Sequence, residues 1–245
     1  MKLIVDIGNT FSKLAVFDND VIISLKTIRN INVGELDQIF NEFSQINSSI
    51  LSSVVLHDSK LKELLMQHGF TIELNHHTPV PFINKYGTPL TLGKDRIAIA
   101  SAAAQLYTNQ NTLIIDAGTS VTYDFVTSNK EYLGGGISPG LKMRFDALHN
   151  FTHKLPLIKL PTFDEKIDLI GDSTEKSILS GVINGLTSEI KSIVNQYSSI
   201  YSPLKTVISG GDYKYFEKLA KSDIFAAPNI VVTGLKCILD FNEKK

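Results

Sequence analysis

Several residue types are scarce in this 245-residue sequence, and each scarcity excludes a class of protein. Cys237 is the single cysteine, which excludes an internal disulfide and any metal site built from several cysteines. The formal net charge of −1 gives no basic character for binding nucleic acid. No apolar run approaches the roughly 20 residues of a membrane span, and Asp6 interrupts the first run too early for a signal peptide. We therefore expect a soluble, cytoplasmic protein that binds neither nucleic acid nor membrane.

The opening stretch, Leu3–Phe17, has two apolar runs separated by a short polar turn, which predicts a β-hairpin. Gly8 in the turn allows close approach of the backbone to a ligand, and the surrounding amides can bind an anion such as phosphate. Asp6 could hold a metal ion beside that anion, and Lys13 would add a positive charge. An ordinary hairpin whose polar residues only form the turn fits the same pattern.

The opening pattern recurs in the second half of the chain. Asp116-Ala-Gly118 repeats Asp6-Ile-Gly8, again between two apolar runs and followed by a third strand pattern. This recurrence predicts duplication of one α/β domain, with domains at 1–112 and 113–245 and a cleft between two opposed phosphate turns. A third glycine turn, Gly210-Gly211, suggests an adenosine site, although strand-to-helix turns often contain glycine.

Helical periodicity separates the predicted strands. We expect helices near these segments: Gly34–Ile46, Asp58–Gly69, Asp95–Tyr107, a segment after Pro139, Thr174–Tyr197, a segment from Asp212, and Leu235–Phe241. Residues 75–93 fit neither period and are rich in proline and glycine. Their aromatic residues Phe82 and Tyr86 indicate an ordered, functional loop.

Three acidic residues carry alternatives. Asp95 lies at the amino end of a predicted helix, where it is either a cap or a general base that accepts a hydroxyl proton during phosphoryl transfer. Arg96 beside it would bind a substrate carboxylate or remain solvated. Asp124, next to the second turn, is interpreted as an exposed strand residue, and Asp116 could hold a cation.

Taken together, these motifs resemble the type III pantothenate kinases. The resemblance spans nearly the whole chain and rests on an ordered set of motifs: Asp6-Ile-Gly-Asn-Thr10-x-x-Lys13, Tyr86, Leu92-Gly-Lys-Asp-Arg96, Asp116-Ala-Gly-Thr119-x-x-Thr122-x-Asp124, Gly136-Ile-Ser-Pro-Gly140, Ser173-Thr174, Ser180-Gly181, Gly185 and Ser209-Gly-Gly211. It implies an α/β fold of two duplicated ribonuclease-H-like domains, the acetate and sugar kinase/Hsp70/actin superfold. The implied reaction is ATP-dependent phosphorylation of pantothenate, the first step of coenzyme A synthesis.

The resemblance also implies roles for individual residues. ATP would be bound by nine residues: Asp6, Ile7, Gly8, Asn9, Thr10, Phe11, Ser12, Lys13 and Thr119. Pantothenate would be bound by six: Tyr86, Gly93, Lys94, Asp95, Arg96 and Thr174, the last of these across a homodimer interface. Asp95 would be the catalytic base. Asp116 would hold a monovalent cation, potassium or ammonium, and magnesium would accompany ATP near Asp6.

A second interpretation is a non-catalytic relative, a transcriptional accessory factor that kept the fold and lost turnover. Such a relative is expected to have lost part of the catalytic set. All five members of that set are present in this sequence: Asp6, Lys13, Asp95, Arg96 and Asp116.

Overall fold

The computed structural model describes residues 1–216 and 224–244. The chain packs as two compact units, each assembled from separate segments. The first comprises Met1–Thr108, Lys130–Tyr132 and Ile230–Lys245, and the second comprises Asn109–Asn129 and Leu133–Asn229. These are packing units, whereas the predicted duplication concerns two continuous segments. The domain boundary near residue 112 therefore stays a prediction.

Eleven strands lie in the described part of the chain. In chain order they are β1 Lys2–Ile7, β2 Ser12–Asp18, β3 Val21–Ile28, β4 Ser48–Ser53, β5 Phe70–Glu73, β6 Ile83–Asn84, β7 Asn111–Ala117, β8 Ser120–Val126, β9 Glu131–Pro139, β10 Leu204–Ser209 and β11 Ile224–Ala226. Seven α-helices accompany them: α1 Val33–Glu42, α2 Ser59–Gln67, α3 Lys94–Leu106, α4 Leu141–Asn150, α5 Thr174–Leu179, α6 Gly185–Ile200 and α7 Ile230–Glu243. Among the described residues, none of these helices is long and apolar enough to span a bilayer.

The first unit is built on a five-stranded sheet in the order β3-β2-β1-β4-β5. The three opening strands form an antiparallel meander, and β4 and β5 run parallel to β1. Strands β1, β4 and β5 therefore end at one edge of the sheet, where the turn after β1 and the loop after β5 begin. Apolar residues of β1, β2, α1 and α2 bury one another in a core beside the sheet.

The second unit repeats the antiparallel start and the parallel addition. Strand β7 pairs antiparallel with β8 and parallel with β10, which in turn pairs parallel with β11. The six-stranded sheet that contains these strands has the order β11-β10-β7-β8-β9-β6. Two-residue strand β6 pairs with the first two residues of β9, Glu131 and Tyr132, which belong to the first unit. A separate apolar core lies in the second unit.

Some predicted elements differ in extent. The predicted helix Thr174–Tyr197 is interrupted by a π-helical turn, Ser180–Asn184, between α5 and α6. The last helix starts at Ile230 instead of Leu235, because it packs along α3. Residues 213–216 form one turn of 3-10 helix, and the continuation of the helix predicted from Asp212 lies outside the described residues.

Candidate active site

The predicted phosphate turn is the tip of the β1–β2 hairpin. The Gly8 amide donates a hydrogen bond to the Phe11 carbonyl at 3.2 Å, which closes the turn. A Cβ atom at Gly8 would lie 2.7 Å from the same carbonyl oxygen, so the tight turn favours glycine. Asn9, Thr10 and Phe11 are exposed at the tip. Their side chains and amides are available to a ligand, whereas the flanking Ile7 and Ser12 side chains are buried.

Asp6 lies at the carboxyl end of β1 between two polar neighbours. It is opposite Lys13 of β2 and opposite Ser52 of β4. Burial and, to a lesser extent, the negative charge of Asp95 together raise the pKa of the Asp6 carboxyl to about 6, although the positive charge of Lys13 lowers it. The structure therefore brings the phosphate turn and the predicted base within electrostatic range of each other in one unit.

Asp95 occupies the first turn of α3, whose N-cap is Gly93. One Asp95 oxygen, Oδ1, accepts the Arg96 amide at 2.8 Å. A carboxylate has lone pairs for further hydrogen bonds, so this contact is compatible with accepting a substrate proton. The helix N-terminus also favours the negative charge. Lys94 precedes Asp95 as the first residue of the helix.

Arg96 is buried, with 5% of its surface exposed, so the interpretation of this residue as solvated is wrong. Its guanidinium carbon lies 5.6 Å from the ring centroid of Tyr86 and 5.9 Å from that of Tyr132. Both distances are within the range of cation–π attraction. A planar guanidinium held in this way can present a fork of donors to a carboxylate.

The second predicted turn, in the other unit, is enclosed by backbone. The Gly140 amide donates to the Thr119 carbonyl at 3.2 Å, and the Asp212 amide donates to the Ala117 carbonyl at 2.9 Å. A Cβ atom at Gly140 would overlap the Gly118 carbonyl oxygen, and one at Gly210 would overlap that of Ala117. Close backbone approach therefore explains two glycines that follow the turn in sequence.

Asp116 lies one residue before the end of β7, opposite Thr122 of β8 and Ser209 of β10. Asp116 is half-buried, and both residues opposite it carry hydroxyl groups. Carboxylate and hydroxyl oxygens are hard donors, so this set is compatible with the predicted monovalent cation, which stays a prediction. Among the described residues, no group of three or more His, Cys, Asp or Glu side chains could hold a metal ion by itself.

The interpretation of Asp124 as an exposed strand residue is wrong. The side chain is completely buried, not exposed, and it accepts a hydrogen bond from the Thr122 hydroxyl at 2.7 Å. Thr122 and Asp124 are two residues apart in β8, so their side chains lie on the same face of the sheet. Asp116 is paired with Thr122, so its side chain lies on that face as well. Burial of this carboxylate is tolerated because it has hydrogen-bond partners.

Thr174 begins α5 in the second unit, after the N-cap Ser173. It lines a cavity of about 770 Å³ together with Leu148, Leu155 and Ile178. The cavity therefore combines hydroxyl groups with apolar walls. Thr174 is in a different unit from Asp95 and Arg96, the other predicted pantothenate residues.

Two residues of these regions had no assigned role in the sequence analysis. Tyr132 contacts Arg96, and no local motif around it signals that contact. Asp212 follows Gly210-Gly211, and burial raises the pKa of its carboxyl to about 6. Its position directly after the glycine pair was the available signal.

Comparisons with known proteins agree on one family. The family model of type III pantothenate kinases matches residues 2–196. The type III pantothenate kinase of Christiangramia forsetii is 45% identical over 244 residues, which cover 99% of this chain and 99% of that protein.

Solved structures agree on the fold. A Campylobacter jejuni chain named for the Baf family of transcriptional activators superposes with a TM-score of 0.62 at 23% identity, covering 99% of this chain and 100% of its own. The activator of the 2-hydroxyisocaproyl-CoA dehydratase from Clostridium difficile superposes with a TM-score of 0.53 at 13% identity, covering 99% and 94%. At such identities the likeness shows the fold alone, which is the predicted acetate and sugar kinase/Hsp70/actin superfold with two ribonuclease-H-like domains. The chain belongs to the type III pantothenate kinase family.

Proposed function

We propose that this protein catalyses the ATP-dependent phosphorylation of pantothenate to 4'-phosphopantothenate, the first step of coenzyme A biosynthesis. Family membership over nearly the whole chain supports the reaction. The observation that carries the proposal for this chain is that Asp6 at the end of β1 and Asp95 in the first turn of α3 lie in one unit, near enough for the Asp95 charge to contribute to the raised pKa of Asp6. A proton acceptor and a phosphate turn within reach of each other are what transfer to a hydroxyl group requires.

In the proposed mechanism the pantothenate hydroxyl attacks the γ-phosphorus of ATP in line, and the bond between that phosphorus and the bridging oxygen breaks to release ADP. Asp95 accepts the hydroxyl proton, and Arg96 binds the pantothenate carboxylate with its fork of donors. Amides of the Gly8 turn and the Lys13 ammonium bind the phosphates, and Thr119 of the second turn binds ATP as well. Phosphoryl transfer depends mainly on such positioning and charge stabilisation.

Two cations belong to the proposal. Magnesium would neutralise developing charge on the phosphates and would be held near Asp6. Burial of the Asp6 carboxyl disfavours its charged form, so a bound cation would restore its ionisation. Magnesium is commonly bound by one or two carboxylates together with substrate phosphates, which fits this sparse set of acidic residues. Asp116 and its oxygen-bearing neighbours would hold potassium or ammonium.

Homodimerisation with a contribution of Thr174 to the partner's pantothenate site is also proposed, as is a cytoplasmic location. Large apolar side chains on the second unit support an association surface, since Phe151 is 89%, Leu169 80% and Ile170 84% exposed. Light scattering of the purified protein tests the dimer. A monomer at micromolar concentration would contradict it.

The test of the function is an ATP-consumption assay with pantothenate and a panel of other small alcohols. We expect consumption that depends on pantothenate and requires magnesium, with 4'-phosphopantothenate identified by mass spectrometry. Consumption with another alcohol but not with pantothenate would indicate a different small-molecule kinase. No consumption with any alcohol would favour the non-catalytic regulator.

A further inference from the structure

Tyr132 lies beside Arg96 in the first unit, although it is far from it in sequence. It is the second residue of β9, and its side chain is completely buried. Its ring centroid is 5.9 Å from the Arg96 guanidinium carbon and 6.1 Å from the Tyr86 ring centroid. Arg96 therefore has an aromatic neighbour on the 75–93 loop and another on β9.

The surrounding structure fixes the position of Tyr132. The Lys85 amide donates to the Tyr132 carbonyl at 2.9 Å, and the Ile83 amide donates to the Lys130 carbonyl at 2.8 Å. Phe82, itself buried, meets the Tyr132 ring in an edge-to-face arrangement with centroids 5.8 Å apart. The backbone pairing and the ring contact thus hold Tyr132 and the loop that carries Tyr86 in one arrangement.

A ring at this position constrains what the guanidinium can do. The face of an aromatic ring attracts a cation, and the attraction grows when water is excluded, as it is around a side chain that is 5% exposed. Arginine has several rotatable bonds, and a bidentate contact to a carboxylate needs the guanidinium plane in one orientation. Rings from two separate elements reduce the orientations that are accessible before substrate binds.

We infer that Tyr132 is a positioning residue for acceptor recognition, holding Arg96 so that its donors meet the carboxylate of the acceptor. This inference rests on the proposed function, because it deepens the assignment of Arg96 to the pantothenate carboxylate. Tyr132 acts through Arg96 and does not itself touch the reacting atoms. Its removal should weaken recognition of the carboxylate more than recognition of the rest of the acceptor.

The experiment compares two acceptors, pantothenate and pantothenol, in which a hydroxymethyl group replaces the carboxylate. We expect Tyr132→Leu to raise the KM for pantothenate about 5- to 30-fold, the range of a lost desolvated cation–π contact. The KM for pantothenol and the KM for ATP should change less than about threefold, so the preference for pantothenate over pantothenol shrinks. Tyr132→Phe keeps the aromatic face and should preserve most of the preference.

Phe40→Leu is the matched control, because Phe40 is a buried ring of α1 in the apolar core of the first unit, whereas Tyr132 lies beside Arg96. It should lower the unfolding temperature without changing the ratio of the two KM values. Should Tyr132→Leu fail to fold, replacement of Tyr132 by pentafluorophenylalanine nearly keeps the ring's volume and removes its attraction for a cation. That variant should show the same shrunken preference.

The outcomes separate the inference from the function. An active wild type whose preference for pantothenate survives both Tyr132→Leu and the fluorinated ring would overturn the inference and leave the function standing. An equal loss for both acceptors would also overturn it, since that is the effect of a general packing defect. A wild type that phosphorylates neither acceptor and binds neither in calorimetry would overturn the proposed function and this inference with it.

Discussion

The two Asp-x-Gly turns share a sequence pattern but differ in how their glycines are used. In the first turn the crowding is at Gly8 itself, because a Cβ atom there would lie 2.7 Å from the Phe11 carbonyl oxygen. In the second turn, Gly118 could accept a side chain, because a Cβ atom there would lie 3.8 Å from the Ser120 carbonyl oxygen, an ordinary contact distance. The crowding there falls on Gly140 and Gly210, whose backbones approach the turn from outside.

The difference indicates a division of work between the units. The first turn is a hairpin tip whose exposed residues are available to a ligand, and it is coupled to the acidic residue at the start of α3. The second turn is covered by backbone from the start of α4 and from the segment after β10. We expect substitutions at the first turn to affect chemistry most and substitutions around the second to affect stability and cation binding most.

The largest effect is expected from Asp95→Asn in the first unit. An amide cannot accept the hydroxyl proton, so kcat should fall by roughly 10²–10⁴-fold, the range for loss of a general base. ATP binding and the unfolding temperature should stay close to those of the wild type. Steady-state kinetics and nucleotide titration measure both, with Asp37→Asn, an exposed residue of α1, as the control. Turnover near that of the wild type would remove Asp95 from the role of base.

The next effect concerns the cation proposed for the second turn. Activity should be low in a buffer that contains only sodium and should return when potassium or ammonium is added. Asp116→Asn removes the anionic donor, so the potassium concentration for half-maximal activity should rise at least about tenfold. The measurement is a potassium titration at fixed ionic strength, with choline chloride balancing the salt. Equal rates in sodium and potassium would exclude this role of Asp116.

Stability around the second turn should depend on glycines that the Asp-x-Gly pattern does not include. Gly210 has a φ of +91°, and a side chain there would overlap the Ala117 carbonyl. We expect Gly210→Ala to lower the free energy of unfolding by about 2–4 kcal/mol. Chemical denaturation measures the change. Gly211→Ala is the control, because no atom of the described residues, apart from the chain neighbours of Gly211, lies within 4 Å of the position that a Cβ would take there.

The same assay separates the two turns. Gly8→Ala should cost about 1–2 kcal/mol, because the turn must open by a few tenths of an ångström to admit a methyl group. Gly118→Ala should stay within about 0.5 kcal/mol, since the added methyl makes only an ordinary contact. The reverse order of these two variants would contradict the distinction between a crowded first turn and a covered second one.

The strands around both turns could be predicted because short apolar runs that flank a polar turn are local signals. The α7 helix was predicted too short for a physical reason. Its start, Ile230-Val-Val-Thr-Gly234, is β-branched and ends in glycine, which locally disfavours a helix. Tertiary packing decides instead: a Cβ at Gly234 would overlap the Ala98 carbonyl, so glycine lets α7 approach the alanine-rich α3 closely.

Side-chain environments were less predictable than elements. Asp124 can be buried because its carboxylate has the Thr122 hydroxyl and further groups as partners. The sequence around a polar strand residue does not show whether such partners will be near it in the fold. The Arg96–Tyr132 contact joins residues whose proximity depends on a two-residue strand pairing. Periodicity cannot detect so short a pairing. The first-turn residues were named from sequence because a hairpin tip brings its own neighbours together.

The smallest effect concerns Asp212, which lies in the segment covering the second turn. Burial raises its pKa from 3.8 to about 6. The folded protein therefore retains a proton that the unfolded chain has lost between these pH values, and the free energy of unfolding falls as the pH rises from about 4 to 6.

Asp212→Asn removes that loss of stability. We expect the variant to be more stable than the wild type by about 1 kcal/mol at pH 7.5, less than the full pKa difference implies because the side chain is partly hydrated. Near pH 4 the two should be equally stable. Urea unfolding at both pH values measures the difference, and Asp6 contributes equally to both proteins. A variant that is less stable than the wild type at pH 7.5 would mean that the Asp212 charge stabilises the segment that covers the second turn. Electrostatic attraction, and not close backbone packing, would then hold that segment in place.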